Sequence, residues 1–193
     1  ENMDLFSKYK IKTKNKDLYI RALTHTSYAN ESNTVSYERL EYLGDAVLEL
    51  IMSEYLYNNT DYPEGEMTKI RANYVCEEAL YNYSLKLELN SFLLLGVGEE
   101  ENGGRMRKAI VADIFEAFIG ALFLDQGLDV VKDFLYAHII PMIEKKEIHA
   151  FDDYKSVLQE LVQTDKRSLK YEMVEESGPS HNKTFKIIVR IDD

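Results

Sequence analysis

A chain of 193 residues, 45% apolar and 30% charged, belongs among globular proteins with one good core and room for a small second domain, which excludes the disordered and membrane classes. Its net charge is −11, from 23 Lys and Arg against 34 Asp and Glu, and its one cysteine, Cys76, excludes an internal disulfide or a multi-cysteine metal site and reads as a small core residue. The acid surplus argues at first against nucleic acid, which proteins grip with Lys and Arg. Residues 154–193 hold seven groups of each sign, however, so residues 1–153 carry the whole surplus. Carboxylates concentrated there either repel RNA or hold divalent ions that bridge to phosphate. No apolar run reaches the length of a membrane span and residues 1–16 lack a signal-peptide core, so a cytoplasmic protein without a membrane partner is expected.

In chain order, residues 17–28 place Leu18, Ala22 and Leu23 at helical spacing. His25 in this stretch reads as a hydrogen-bonded structural histidine, since no second histidine is near enough to make a ligand pair. A polar loop is expected over 30–34, with Ser36 as N-cap of the next helix. That helix, 36–52, stacks Glu38, Glu41 and Asp45 on one face and Leu40, Leu43, Val47, Leu50 and Ile51 on a neighbouring apolar stripe. Like charges at these spacings repel by roughly a few tenths of a kcal/mol per pair, and a bound cation would compensate. After a loop over 58–65, two helices are expected at 66–72 and 76–87, with Ile70, Tyr74 and Leu80 in the core and Arg71 on the opposite side. Glu64, ahead of this pair, has two readings: an acid that favours the helix dipole, or a support for a metal site. Residues 96–105 read as a flexible glycine-rich loop. A phosphate cradle there has little support, because no strand precedes it and the Lys-Ser/Thr ending is missing.

The second acidic helix, 106–125, has almost no polar face, so Asp113 and Glu116 should be inside the protein and in need of a counter-charge. Gly120, one turn beyond Glu116, would let another helix backbone come close. Arg105, Arg107 and Lys108 at its start are either a solvated helix end or phosphate contacts. A further amphipathic helix is expected over 128–143, followed by a charged connector. Beyond it, 154–164 reads as a helix, and 169–175 and 184–191 alternate as strands around a turn at 177–182.

Glu41 with Asp45, and Asp113 with Glu116, could therefore bring four oxygen donors together inside an apolar bundle. Oxygen ligands without histidine or thiolate suit magnesium or manganese rather than zinc. The Glu-x-x-His pairs of di-iron bundles are missing, since Gly44 and Ile119 stand where the histidines would be. Magnesium held by acids serves phosphate chemistry, and phosphodiester hydrolysis follows.

The same residues carry a resemblance. Glu38-Arg-Leu-Glu-Tyr-Leu-Gly-Asp45 is similar to the signature of the ribonuclease III family. The likeness continues through Pro63-Glu-Gly-Glu-Met-Thr-Lys-Ile-Arg-Ala72, Gly103-Gly-Arg105 and Asp113-Ile-Phe-Glu-Ala-Phe-Ile-Gly-Ala121, while the last forty residues resemble the start of a double-stranded-RNA-binding domain. The resemblance implies a mainly α fold: an all-helical endonuclease domain over 1–147, a linker over 148–153, and a partial α+β RNA-binding domain over 154–193 without its third strand and second helix. It implies that Glu41, Asp45, Asp113 and Glu116 hold Mg2+, with Mn2+ as a substitute, and that loss of Asp45 or Glu116 is most damaging. Glu38 and Glu64 match outer acidic positions. Tyr42 matches an aromatic that plugs a pocket on the partner subunit of a homodimer; otherwise it is a large core side chain. Ser156, Gln159 and Glu160 match positions that touch the RNA minor groove, and Pro179 and His181 lie in the loop that enters the next one. The implied activity is cleavage of double-stranded RNA to 5′-phosphate products with short 3′ overhangs, in processing of ribosomal and messenger RNA precursors. The alternatives are a non-cleaving dimeric double-stranded-RNA-binding protein on the same fold, against which the presence of all four acids argues, and a helical scaffold whose acids are merely solvated.

Overall fold

The computed structural model describes residues 5–145, 169–177 and 184–191. The chain divides into two compact units, Glu1–His149 and Ala150–Asp193. In the first, α1 (Leu5–Lys8), α2 (Lys16–Ala22), α3 (Thr26–Ser32), α4 (Glu38–Asn59), α5 (Glu64–Tyr74) and α6 (Glu77–Lys86) are followed by a 3-10 turn at Leu89–Phe92. Then come α7 (Val97–Glu101), a second 3-10 turn at Gly104–Met106, α8 (Lys108–Gln126), α9 (Leu128–His138) and α10 (Ile140–Glu144).

The core is built around α8. Ile114, Phe115, Phe118, Ile119 and Leu122 are fully buried, because a helix apolar on nearly every side has to be covered on every side. α4, α6, α2 and α9 supply the cover. Each such side chain contributes roughly 1.5–3 kcal/mol by leaving water. The two acid-bearing helices, α4 and α8, meet at two glycines. A Cβ on Gly44 would lie 1.6 Å from the carbonyl oxygen of Glu116, and one on Gly120 would lie 2.3 Å from that of Leu40. The expected role of Gly120 is thus met, and Gly44 does the same from the other side. With no side chain between the backbones, the acids flanking the crossing are brought close together.

Several local expectations change. Residues 17–28 form two helices rather than one, because the His25 ring accepts the Ser27 N–H at 3.2 Å and starts α3 afresh. His25 is therefore a structural cap, as expected, while the loop expected over 30–34 begins later, at the left-handed Asn33 (φ 50°). Ser36 lies just outside α4, where its hydroxyl accepts the Glu38 N–H at 3.4 Å. On α4 the buried line is Leu40, Gly44, Val47, Leu48, Ile51, Met52 and Leu56, and Leu50, placed in the apolar stripe by its spacing, is 55% exposed. α5 buries no residue, so Ile70 is only half-buried, as is Tyr74, while Leu80 is in the core. Arg71 faces α4, donating to Ser53 Oγ at 3.0 Å. Cys76 is half-buried before α6, its thiol donating to the Asn73 carbonyl at 3.2 Å.

The stretch 96–105 is ordered by Arg105. Its guanidinium donates to the carbonyls of Asn90 (3.0 Å) and Leu93 (2.9 Å) and to Glu100 (2.9 Å), so that α7 and the following turn replace the expected flexible loop. The stretch 128–143 breaks at Ile139, since Pro141 lacks the N–H needed to continue α9 and instead sits in the first turn of α10.

In the second unit, β1 (Leu169–Ser177) pairs antiparallel with β2 (Thr184–Ile191), from Leu169 opposite Ile191 to Ser177 opposite Thr184, with an irregularity between Met173 and Glu175. Helices in the first unit and strands in the second agree with the mainly α plus partial α+β expectation. The connector 148–153, the helix 154–164, and Ser156, Gln159, Glu160, Pro179 and His181 lie outside the described residues. Among the described residues no helix is long and apolar enough to cross a membrane.

Candidate metal centre

Three carboxylates meet where α4 crosses α8. Glu41, Asp113 and Glu116 each offer an oxygen within 4.8 Å of the other two. Glu41 comes from the first turn of α4, and Asp113 and Glu116 stand three residues apart on one side of α8. Glu116 is 9% exposed, which makes it the one charged residue of the described core. Asp45, one turn along α4 from Glu41, is exposed and lies beside Glu116, within hydrogen-bonding reach of its carboxyl. Three of the four expected ligands therefore converge, and the fourth borders them from solvent.

Desolvation and mutual repulsion hold these groups away from ordinary carboxylate behaviour. Burial first, and then the hydrogen bond and charge of Asp45, push Glu116 up to about 9. Burial and the neighbouring Asp113 raise Glu41, and burial also raises Asp113. Glu41 and Asp113 are within hydrogen-bonding reach of each other, which raises Glu41 further and, against burial, favours the ionised form of Asp113. Asp113 also receives the Tyr37 hydroxyl, which favours its ionised form.

Among the described residues no Lys, Arg or His nitrogen makes an ion pair with any of these acids. The cations that sequence placed nearby are engaged with other acids. Arg105 pairs with Glu100, Arg107 with Glu99 and Lys108 with Glu78; Arg107 and Lys108 are exposed, in keeping with a solvated helix end. Three crowded oxygen donors with no ion pair among the described residues, and only the charge of His25 acting on Asp113, fit a hard divalent cation, which takes carboxylate oxygens and supplies the missing positive charge.

The outer acids are less closely tied. Glu38 is exposed, receives the Ser36 hydroxyl at 3.2 Å and acts on Glu41 through its charge alone. Glu64 opens α5, where it accepts from Thr68 at 3.1 Å and lines a cavity with Leu50, Ser53, Tyr57, Met67 and Arg71; it does not join the cluster. Tyr42 points outward and is 83% exposed, so within one chain it is not a core side chain. Two participants escaped the sequence reading. Tyr37 donates to Asp113 Oδ2 at 2.9 Å, and the charge of Glu77 reaches Asp113 from α6. Tyr37 sits one residue ahead of the acid-bearing helix, where helical spacing gives no signal, and Glu77 comes from a different element altogether.

Comparison with known proteins places this geometry. Residues 15–143 match the family model described as Ribonuclease-III-like, and residues 154–193 match the double-stranded RNA binding motif. Ribonuclease 3 of Oceanobacillus iheyensis is 55% identical over 175 residues, covering 88% of this chain and 77% of that protein. Ribonuclease 3 of Streptococcus gordonii is 47% identical, covering all of this chain and 84% of its own. Among solved structures, the nuclease domain of ribonuclease III from Campylobacter jejuni superposes with a TM-score of 0.66 at 38% identity, over 70% of this chain and 94% of that one; that domain is described as flexible in a region involved in dimer formation. Dicer from Pichia stipitis aligns over 93% of this chain and 82% of its own, with a TM-score of 0.52 at 28% identity.

Proposed function

Because this chain belongs to the ribonuclease III family of double-stranded-RNA endoribonucleases, we propose that Glu41, Asp45, Asp113 and Glu116 hold the divalent cation its chemistry requires, and that the cation is Mg2+, with Mn2+ able to replace it. Convergence of three carboxylate oxygens within 4.8 Å of one another, with no ion pair to them among the described residues, is the observation that carries this reading. An ion bound there would lower the pKa of a coordinated water and stabilise charge on the leaving oxygen of a phosphodiester. The residues themselves do the rest. Glu116 and Asp113, fixed on α8, set the inner wall of the site, and Glu41 faces them from the first turn of α4. Asp45, open to solvent, guards the side from which a phosphate group can approach.

The products are RNA ends with a 5′ phosphate and short 3′ overhangs, made in the cytoplasm during maturation of ribosomal and messenger RNA precursors. Cutting both strands needs two such sites. The outward face of α4 supports a homodimer: Tyr42, Leu50 and Tyr57 are 83%, 55% and 76% exposed and fall within one sector of the helix. Glu38 and Glu64 extend the acidic surface toward the duplex. Residues 1–147 form the catalytic part and 148–153 the linker. The part over 154–193 contacts RNA through Ser156, Gln159, Glu160, Pro179 and His181.

The test is Glu116→Gln. The amide keeps the shape and removes a charge the ion needs, so the expected result is normal folding and dimerisation with cleavage of a labelled duplex lost at every Mg2+ concentration. Normal cutting by this variant would remove the metal assignment. Duplex bound but left intact by the wild-type protein, at all Mg2+ and Mn2+ concentrations, would favour the non-cleaving alternative.

A further inference from the structure

Among the described residues the Tyr37 hydroxyl has one hydrogen-bond partner, Asp113 Oδ2 at 2.9 Å, and Tyr37 is 4% exposed, so its ring is shielded from bulk water. The rest of Tyr37 is fixed from two directions. Its N–H donates to the Thr24 carbonyl at 2.9 Å, and Thr24 in turn bridges to Leu94, with the Leu94 N–H on the Leu23 carbonyl at 2.8 Å and the His25 N–H on the Leu94 carbonyl at 3.0 Å. Its ring packs edge-on against His25, with centroids 5.9 Å apart. His25 is itself held by Ser27, whose hydroxyl takes the Gly96 N–H at 2.8 Å. A donor anchored through two chain segments therefore reaches one oxygen of the Asp113 carboxylate, whose other contact in the cluster is the Glu41 carboxyl.

We propose that Tyr37 is a positioning residue of the metal site: its hydroxyl fixes the Asp113 carboxylate in the orientation in which Asp113, Glu41 and Glu116 face a single divalent ion. The inference rests on the metal reading given above and adds to it a residue that is not itself a ligand. Removing a group that orients a metal ligand typically costs about 10–100-fold in metal affinity. Phenylalanine at this position keeps the ring against His25 and removes only the donor. Asp113 then loses its one anchored donor and keeps only the Glu41 carboxyl, which is itself a candidate ligand.

The molecule contains a matched control. Tyr19 is also fully buried and also donates its hydroxyl to an aspartate, Asp125 at 2.6 Å, but that pair ties the N-terminal segment to the end of α8 and makes no part of the acid cluster. Mn2+ is titrated into the whole protein without RNA, with the free ion followed by electron paramagnetic resonance and the melting temperature measured in parallel. Tyr37→Phe is expected to weaken Mn2+ binding about 10-fold. Tyr19→Phe should lower the melting temperature and leave binding unchanged. In cleavage assays of Tyr37→Phe, the Mg2+ concentration for half-maximal rate should rise by a similar factor, while the rate at saturating Mg2+ returns close to wild type. Equal Mn2+ affinity in Tyr37→Phe and wild type, or equal weakening in both tyrosine variants, would overturn the positioning role while leaving the metal reading intact. Absence of saturable Mn2+ binding to the wild-type protein would overturn the metal reading, and the positioning role with it.

Discussion

Glu116 is a carboxyl in surroundings that disfavour its charge, and that makes the stability of the metal-free protein depend on pH in an unusual direction. Its folded-state pKa, about 9, lies above the ordinary value of 4.5, so the folded protein keeps a proton that the unfolded chain releases. The stabilisation from that proton is fully present below about pH 4.5 and is lost as pH rises through about 9. Glu41 and Asp113, both raised, act in the same sense. Asp125 and Glu88, both lowered, oppose this only on the acid side, because their contribution disappears as pH falls through their depressed values. The expected outcome by calorimetry in the presence of a chelator is a melting temperature that declines steadily between about pH 5 and pH 9. Glu116→Gln should flatten that decline, since the amide has no proton to lose. Saturating Mg2+ should raise the melting temperature most at the alkaline end, where the ion replaces protons already gone. A flat profile for the metal-free wild-type protein would mean that the three acids are not held in an apolar crossing.

At the level of the helix pair, the site exists because two backbones touch. Gly44→Ala puts a methyl group where the Glu116 carbonyl oxygen already sits, and Gly120→Ala does the same against Leu40. Neither obstacle is the flexible end of a side chain, so α4 and α8 must separate. Each substitution should cost at least about 1–3 kcal/mol in denaturant unfolding and should abolish Mn2+ binding even where the protein remains folded. Gly65→Ala in α5 meets nothing within 4 Å and should be neutral or stabilising by about 0.4–1 kcal/mol. Equal effects at the three positions would contradict the crossing. The same contrast shows why sequence disclosed some of this and not the rest. The acid spacing on each helix follows from 3.6 residues per turn, and the burial of α8 follows from its lack of a polar face. The expected closeness at Gly120 needed only the absence of a side chain. What a single helix cannot announce is which of its faces meets a partner. Leu50 continues the apolar stripe of α4 yet points to solvent, and Asp45 continues the acidic line yet stays at its edge. Arg105 could equally have gripped phosphate, and only the fold shows it spent on the carbonyls of Asn90 and Leu93.

For the whole molecule, an acidic nuclease has to approach a polyanion. The surplus of eleven negative charges lies in residues 1–153, and at about 0.15 M salt it is felt over roughly 8 Å. Long-range attraction therefore cannot bring RNA to the acid cluster, and holding the duplex along a composite surface becomes the more important device. The dimer proposed above would supply that surface by setting two clusters on one duplex. Its contact is expected on the outward sector of α4, and Leu50 is the side chain with which to test it, because it is 55% exposed and a charge placed there meets water in the monomer. In the dimer the same charge would be buried without a partner, at a cost of several kcal/mol. Leu50→Glu should accordingly keep the wild-type melting profile at low protein concentration and shift sedimentation from dimer to monomer. It should bind Mn2+ normally, since the cluster lies on the opposite edge of the helix, and should lose coordinated cutting of both strands. A variant that stays dimeric would place the interface elsewhere, and one that unfolds would return Leu50 to the core where its spacing first put it.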